Sequence, residues 1–180
     1  MDETLKKPGR VPTAAEEDRF WALIESAWQR LGPEPAALRR ALIARDPDDD
    51  EDFELYALDG WLAPFLRALT ELSAPLSRAE LADLDRVLER QLHDLDRADI
   101  HEVTDGSDDG FLYARGFIVA LGREFHEAVR RDPTLAVLDA DCEEMCYFFA
   151  GLHEERFGRP PERDSGISRE TGANLAGWTL

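Results

Sequence analysis

The fold is decided by one stretch of the chain, residues 77–95, which reads SRAELADLDRVLERQLHDL. Ser77 followed by Glu80 forms a capping box, in which the two side chains accept hydrogen bonds from backbone N–H groups at the start of a helix. Leucines then recur every three or four residues, the spacing that lines up one face of an α-helix. They are Leu81, Leu84, Leu88, Leu92 and Leu95. The stretch therefore predicts an amphipathic helix that begins after Ser77.

The same apolar spacing recurs on both sides of this helix. Thr13 and Glu16 form a second capping box, before a helix that ends at Gly32-Pro33. Pro64 is expected to kink or divide the helix around it. Further helices are predicted over 34–44, 53–72, 111–132 and 134–157, with a polar, turn-rich segment over 96–110. Because no segment predicts a strand, the fold class is all-α, a single compact helical domain of about five to seven helices.

Periodicity also divides the chain into three parts. Residues 1–12 show none and are predicted to form a flexible arm, whereas residues 13–157 form the helical domain. Residues 158–180 hold little apolar material, so an irregular tail is expected, with a transition from order to disorder after Gly158. Trp178 is the exception, and it leaves open whether the tail docks on the domain.

Composition limits the classes of function. The 180 residues are 43% hydrophobic, enough for one domain with a core, and 39 acidic against 21 basic residues give a net charge of −18. Charge repulsion of this size argues against direct binding to nucleic acid or to anionic membranes. No apolar run reaches the length of a membrane span, and the first residues lack the apolar core of a signal peptide. The expected location is therefore the cytoplasm, while the oligomeric state stays unknown.

The two cysteines, Cys142 and Cys146, are four residues apart in a predicted helix. That spacing separates their Cβ atoms by roughly 5–6 Å, whereas an unstrained disulfide needs about 3.5–4.5 Å. Apolar neighbours surround them in the sequence. The prediction is a pair of buried, reduced thiols rather than a disulfide or a metal site.

No metal or cofactor is predicted. In the acidic loop 46–54, Asp48, Asp50 and Asp52 match the first ligands of a calcium loop, but Phe53 stands where that loop needs glycine. A solvated loop is favoured, and whether it binds a cation stays open. The histidines show no spacing typical of metal ligands. They are His93, His101, His126 and His153.

The candidate binding residues lie in one block, residues 106–136, GSDDGFLYARGFIVALGREFHEAVRRDPTLA. Gly116 and Gly122 each cost about 1 kcal/mol inside a helix, which predicts close helix packing or a site that needs access. The candidates are Asp108, Asp109, Arg115, Arg123 and His126. Two interpretations stay open: a structural network in which an aspartate bridges to Arg115, or a polar recess that binds a ligand. No catalytic residue is predicted, because the nucleophile elbow and the phosphate-binding loop are both missing.

The same block resembles a known family. The runs SDDGF (107–111), RGFI (115–118), LGRE (121–124) and DP (132–133) are similar to the motifs of the bacterial domain-of-unknown-function family 4240. The run FWALIE (20–25) is similar to that family's N-terminal helix, and the resemblance spans about residues 19–137. It implies a bacterial, cytosolic, helical domain and no assigned reaction.

Two functions follow as hypotheses. The first is a protein-interaction or regulatory module that binds a basic protein partner through its acidic surface, with affinity that falls as salt rises. The alternative is a small-ligand or divalent-metal binding domain or an enzyme, in which Asp108 and Asp109 act as base or metal ligands and Arg115 clamps an anion.

Overall fold

The chain is all-α, as predicted, in a computed structural model that describes residues 9–49, 53–104 and 106–179. No strand occurs in those ranges, and their helices number nine rather than the expected five to seven. The helices are α1 Ala14–Gln29, α2 Pro33–Ala44, α3 Phe53–Ser73, α4 Arg78–Asp94, α5 Ala98–Thr104, α6 Asp108–Ala120, α7 Arg123–Arg131, α8 Glu143–Cys146 and α9 Phe148–Phe157. Of the predicted arm 1–12, residues 1–8 lie outside the described residues.

Helix α4 is the centre of the packing. It contacts α1, α6, α8 and α9, and every leucine of the predicted stripe is buried. Both capping boxes are confirmed: the hydroxyls of Thr13 and Ser77 accept from the N–H groups of Glu16 and Glu80 at 3.2 and 3.3 Å. The stretch that predicts the fold therefore provides the helix against which the others are arranged.

Two predicted helices are divided. The helix expected over 111–132 is α6 followed by α7, because Gly122 adopts φ +98° and stands before α7 rather than inside a helix. The helix expected over 134–157 is a 3₁₀ turn, an irregular segment, α8 and α9, and Asp139 has φ +55° within that segment. A positive φ is incompatible with a continuing right-handed helix.

Two further differences concern local structure. The polar segment 96–110 contains the short helix α5, which buries Ile100. Helix α3 continues through Pro64, so the break that the proline allows does not occur there, while the expected kink stays a prediction. Residue 60, whose carbonyl loses its helical partner to the proline ring, is exposed, so water can replace the missing bond.

The cysteines confirm the prediction of buried, reduced thiols. Cys142 and Cys146 are both free and buried, and burial raises the pKa of each thiol to about 12. Gly116 on α6 explains their position, since a Cβ there would lie 2.5 Å from the Cys142 carbonyl oxygen and 2.6 Å from the Cys146 sulfur. The close helix packing expected at this glycine is therefore present between α6 and α8.

Residues 159–179, which we call the strap, contain no α-helix, but they pack on the domain instead of becoming disordered after Gly158. Trp178 docks, and its indole N–H donates to Asp96 Oδ1 at 2.9 Å. The strap follows α4 from its first half to the residues beyond its end, through Asp164 with Arg86, Ser165 with Glu89, Arg169 with Asp85 and Asn174 with Asp96. Polar anchors of this kind leave no apolar periodicity, which is why the sequence predicts a loose tail.

Arg169 is the buried charged anchor of the strap. Its guanidinium lies 3.0 Å from Asp85 and 3.7 Å from Glu89, and it also donates to the Cys146 carbonyl oxygen at 2.6 Å. All three charged side chains are nearly enclosed. Removing one partner of such a network leaves buried charge without compensation.

The glycine contact predicts a matched pair of substitutions. Gly116→Ala forces a methyl group against α8 and should lower the free energy of unfolding by about 1–3 kcal/mol. Gly151→Ala, in α9 with no atom within 4 Å of its added Cβ, should raise it by about 0.5–1 kcal/mol. Urea unfolding followed by circular dichroism measures both, and equal effects of the two substitutions would contradict the packing described.

The anchoring of the strap by Arg169 predicts the outcome of a second pair of substitutions. Arg169→Met should lower the free energy of unfolding by about 3–5 kcal/mol, because Asp85 and Glu89 stay buried without their cation. The control is Arg30→Met, which removes a partner of Glu71 at 3.2 Å in a largely exposed pair and should change it by less than about 1 kcal/mol. Limited proteolysis should also cut the strap of the Arg169 variant first; resistance equal to that of the Arg30 variant would argue against the anchor.

Candidate functional site

Arg115, the centre of the predicted site, is completely buried. Its Nη1 donates to the carbonyl oxygens of Leu92 and Arg169, both at 2.9 Å, and its Nη2 donates to Thr171 Oγ1 at 3.1 Å. The guanidinium carbon lies 4.7 Å from the centre of the Phe111 ring. Burial lowers the pKa of this arginine. Arg115 thus joins α6 to the end of α4 and to the strap.

The two aspartates of the predicted site do not meet this arginine. Asp108 and Asp109 are exposed in the first turn of α6, and the hydrogen bonds of Arg115 go to other groups. The cap of the helix is Ser107, whose hydroxyl accepts from the Gly110 N–H at 3.2 Å. Asp108 contributes its backbone carbonyl, which accepts from the Thr171 hydroxyl at 2.6 Å.

Arg123 and His126 lie elsewhere again. Arg123 is on the surface, 3.0 Å from Asp18 and 2.9 Å from Glu127. His126 is 1% exposed, packs 5.1 Å from the Trp21 ring, and its Nε2 lies 3.4 Å from the Gln91 carbonyl oxygen. The five predicted residues therefore do not converge on one recess.

Asp109 belongs to a different arrangement, a surface formed by α6, α8 and the strap. The hydroxyl of Tyr147 donates to Glu170 Oε1 at 2.5 Å, and the residue is 38% exposed. Tyr113 is half-buried. Its pKa is raised by burial and by the carboxylates of Glu143 and Asp109. Two tyrosines and three carboxylates thus share one face.

More carboxylates continue this face. Asp141 and Glu144 flank Cys142 and Glu143 in the sequence and are exposed, and their charges, with that of Asp59, add to the burial that raises the pKa of Cys142. We call the combined area the acidic–tyrosine surface. Its members are Asp59, Asp109, Tyr113, Asp141, Glu143, Glu144, Tyr147 and Glu170.

No carboxylate of this surface forms an ion pair with another described residue. Within the described ranges, the acidic partner in each ion pair is a residue outside the acidic–tyrosine surface. Arginines elsewhere neutralise carboxylates such as Asp85, Asp164 and Glu25.

Sequence reasoning missed most of this surface. Asp109 and Tyr113 are four residues apart on α6, and Glu143 and Tyr147 are four apart around α8, a spacing that places each pair on one helical face. Nothing in the sequence shows that the two pairs are neighbours, or that Glu170 joins them. That contact depends on the glycine packing of α6 against α8 and on the strap.

A metal centre finds no support in the described part of the chain. Among residues 9–49, 53–104 and 106–179, no group of three or more His, Cys, Asp or Glu side chains is placed to hold a metal ion. Of the possible calcium ligands, Asp50 and Asp52 lie outside the described residues. The same ranges contain no helix of the length and apolar character needed to cross a membrane.

His126 predicts a pH dependence of stability. Burial lowers its pKa from 6.5 to about 4, so between these values the unfolded chain binds a proton that the folded chain refuses, and stability falls as the pH falls. This group alone should remove about 2 kcal/mol of unfolding free energy between pH 7 and pH 5. Urea unfolding of the wild type and of His126→Gln at both pH values measures the difference.

The control for this prediction is a comparison of pH 7 with pH 8.5, where the histidine is neutral in both states and the two proteins should show the same change. An identical loss for wild type and His126→Gln between pH 7 and pH 5 would show that the buried histidine does not resist protonation.

Comparison with known proteins identifies a family without a known activity. The profile of the family described as "Protein of unknown function (DUF4240)" matches residues 59–153, from α3 into α9. No curated protein and no solved structure matches the chain. The match covers more than half of the chain and includes α4, α6 and α8, the helices that build the core and most of the acidic–tyrosine surface. The chain belongs to the DUF4240 family.

Proposed function

We propose that the chain is a protein-interaction module whose acidic–tyrosine surface binds a basic segment of a partner protein. The observation that carries this proposal is the set of carboxylates without counter-charge beside Tyr113 and Tyr147. Lysine and arginine side chains of a partner would supply the missing positive charge. We place this module in the bacterial cytoplasm, following the expectation drawn from its sequence.

The tyrosines give the surface more than charge. Tyrosine is enriched at protein interfaces because its ring covers apolar area while its hydroxyl can form hydrogen bonds. Tyr147 already stacks against the buried guanidinium of Arg169 at 5.0 Å from the ring centre, so one side of its ring is held in place. A ring fixed in this way loses little entropy when a partner covers its outer side.

The net charge of −18 acts at longer range. A field of this sign raises the rate of encounter with a positively charged surface, and salt screens it over about 10 Å at 0.1 M. Rim charges of this kind change association rates and salt dependence more than they change the contact energy itself. Salt sensitivity is therefore the signature that we expect of the interaction.

The alternative function, a ligand site or an enzyme centre built on Asp108, Asp109 and Arg115, has weaker support. Arg115 is 0% exposed, and both of its terminal nitrogens donate to protein oxygens. A guanidinium in this position cannot clamp an anion without breaking the joint between α6 and the strap. The exposed aspartates favour the interaction surface instead.

The test is an affinity capture from a bacterial lysate at low and high salt, with identification of bound proteins by mass spectrometry and titration of the purified partner. The informative variant is Asp109→Asn, Glu143→Gln, Glu170→Gln, which removes three charges with little change of shape. We expect a basic partner that binds in stoichiometric amount and is released by high salt. The triple variant should bind this partner more weakly than the wild type, by a factor of up to about ten.

The matched control removes the same charge from other faces of the domain: Glu17→Gln, Glu154→Gln, Glu155→Gln. These carboxylates form no ion pair in the described part of the chain and lie outside the acidic–tyrosine surface. The control should bind nearly as the wild type does. Equal losses in both triple variants would show that only bulk charge matters, and binding that salt leaves unchanged would argue against the proposal altogether.

A further inference from the structure

We propose a second site, of opposite charge: a cleft between α4 and the beginning of the strap that binds a small phosphate monoester. This strap cleft has a volume of about 390 Å³ and is lined by Arg78, Arg86, His153, Arg159 and the carboxylates of Asp83 and Asp164, among others. Ligand pockets of proteins begin at about 300 Å³, which suits a metabolite of the size of a sugar phosphate. The proposal is independent of the acidic–tyrosine surface.

The first argument is the concentration of arginine. Four arginines line the strap cleft, with Arg10 as the fourth, against three carboxylates, although the whole chain is strongly acidic. Arginine is suited to phosphate because its planar fork of N–H donors matches two oxygens at once. A local excess of positive charge on a chain of this composition is the reverse of what bulk charge would produce.

The second argument is that the cleft's ion pairs leave two arginines over. Arg86 lies 2.7 Å from Asp164 and 2.8 Å from Asp83, and Arg10 lies 3.3 Å from Asp83, so these two arginines pair with the two aspartates and fix the wall of the cleft. Arg78 and Arg159 have no carboxylate partner within the described ranges. The Arg78 guanidinium instead lies 4.8 Å from the centre of the Phe157 ring. These two cations are available to a ligand.

The third argument is His153, which is 3% exposed and lines the cleft. Its Nδ1 donates to the carbonyl oxygen of Arg159 at 2.6 Å, which fixes the ring next to that arginine. Its Nε2 forms no hydrogen bond with the described residues, yet it is not sealed from solvent. A mostly buried ring with one solvent-accessible nitrogen, beside two unpaired guanidinium groups, gives a ligand both a hydrogen-bonding nitrogen and positive charge in one cleft.

The apolar part of the cleft sets the size and kind of ligand. Ala79, Ala82 and Pro160 line the space between the charged groups. Small side chains and a proline ring leave room for the carbon skeleton of the ligand while the phosphate takes the arginines. The probes are therefore inorganic phosphate, ribose 5-phosphate, ribose without phosphate, and citrate as a carboxylate of comparable charge.

The experiment is isothermal titration calorimetry of the full chain with each probe. We expect saturable binding of ribose 5-phosphate and weaker binding of inorganic phosphate. Ribose and citrate should show no saturable binding. Arg78→Gln and Arg159→Gln should each lower the affinity for ribose 5-phosphate about tenfold, which corresponds to the loss of one charge-assisted hydrogen bond. Both residues are exposed, and Arg78 stands at a helix N-terminus where positive charge is unfavourable, so these variants should fold normally.

The control is Arg67→Gln, which removes an exposed arginine of α3 that has no ion-pair partner in the described residues. It should bind as the wild type does. A second readout is the ring signals of the histidines in an NMR titration: those of His153 should shift with ribose 5-phosphate, and those of the buried His126 should not. Absence of saturable binding, preference for citrate, equal weakening by Arg67→Gln, or an unmoved His153 would each overturn the proposal.

Discussion

The strap packs on α4 through buried charged groups, and the rest of the structure depends on this interaction. Arg169 enters from the strap between Asp85 and Glu89, while Arg115 enters from α6 and donates to the backbone of both α4 and the strap. Each buried cation is compensated by oxygens from a different element. Because none of these elements satisfies its own charges, α4, α6 and the strap are stable only together.

The arrangement also explains how a chain with net charge −18 distributes its arginines. Buried and half-buried arginines are consumed by internal joints, as Arg86 is by Asp83 and Asp164. Because these arginines pair with groups inside the domain, they do not balance carboxylates on its surface. The acidic–tyrosine surface is one of the faces that stay acidic. The strap cleft is the exception, where arginines exceed the carboxylates available to them.

The sequence predicts the elements whose causes are local. Capping boxes at Thr13 and Ser77, the leucine stripe of α4 and the buried thiols all follow from neighbours within a turn or two, and all are confirmed. The break at Gly122 is local as well, but a glycine inside an apolar pattern does not reveal whether its φ is negative or positive. The number of helices was therefore underestimated where glycine or aspartate adopts a positive φ.

The candidate site was less predictable because its causes are distant in the sequence. Asp108, Asp109 and Arg115 share one block of the chain, yet Arg115 turns into the core toward Leu92 and Arg169 while the aspartates face solvent. Spacing alone cannot tell which face of α6 the strap covers. The polar strap, without apolar periodicity, carries the information that decides it.

The strap also links the two proposed sites physically. Its first residues, 159–164, form a wall of the cleft, and Glu170 completes the acidic–tyrosine surface six residues further on. Arg169 lies between them, and its guanidinium supports the inner side of Tyr147. Lifting Arg169 from Asp85 would therefore remove the support behind Tyr147 and its partner Glu170, whereas Asp164 with Arg86 and Ser165 with Glu89 still hold the wall of the cleft. The two proposed sites therefore share one chain segment but have separate anchors, and the pairing of Arg169 with two carboxylates of α4 stabilises the acidic–tyrosine surface.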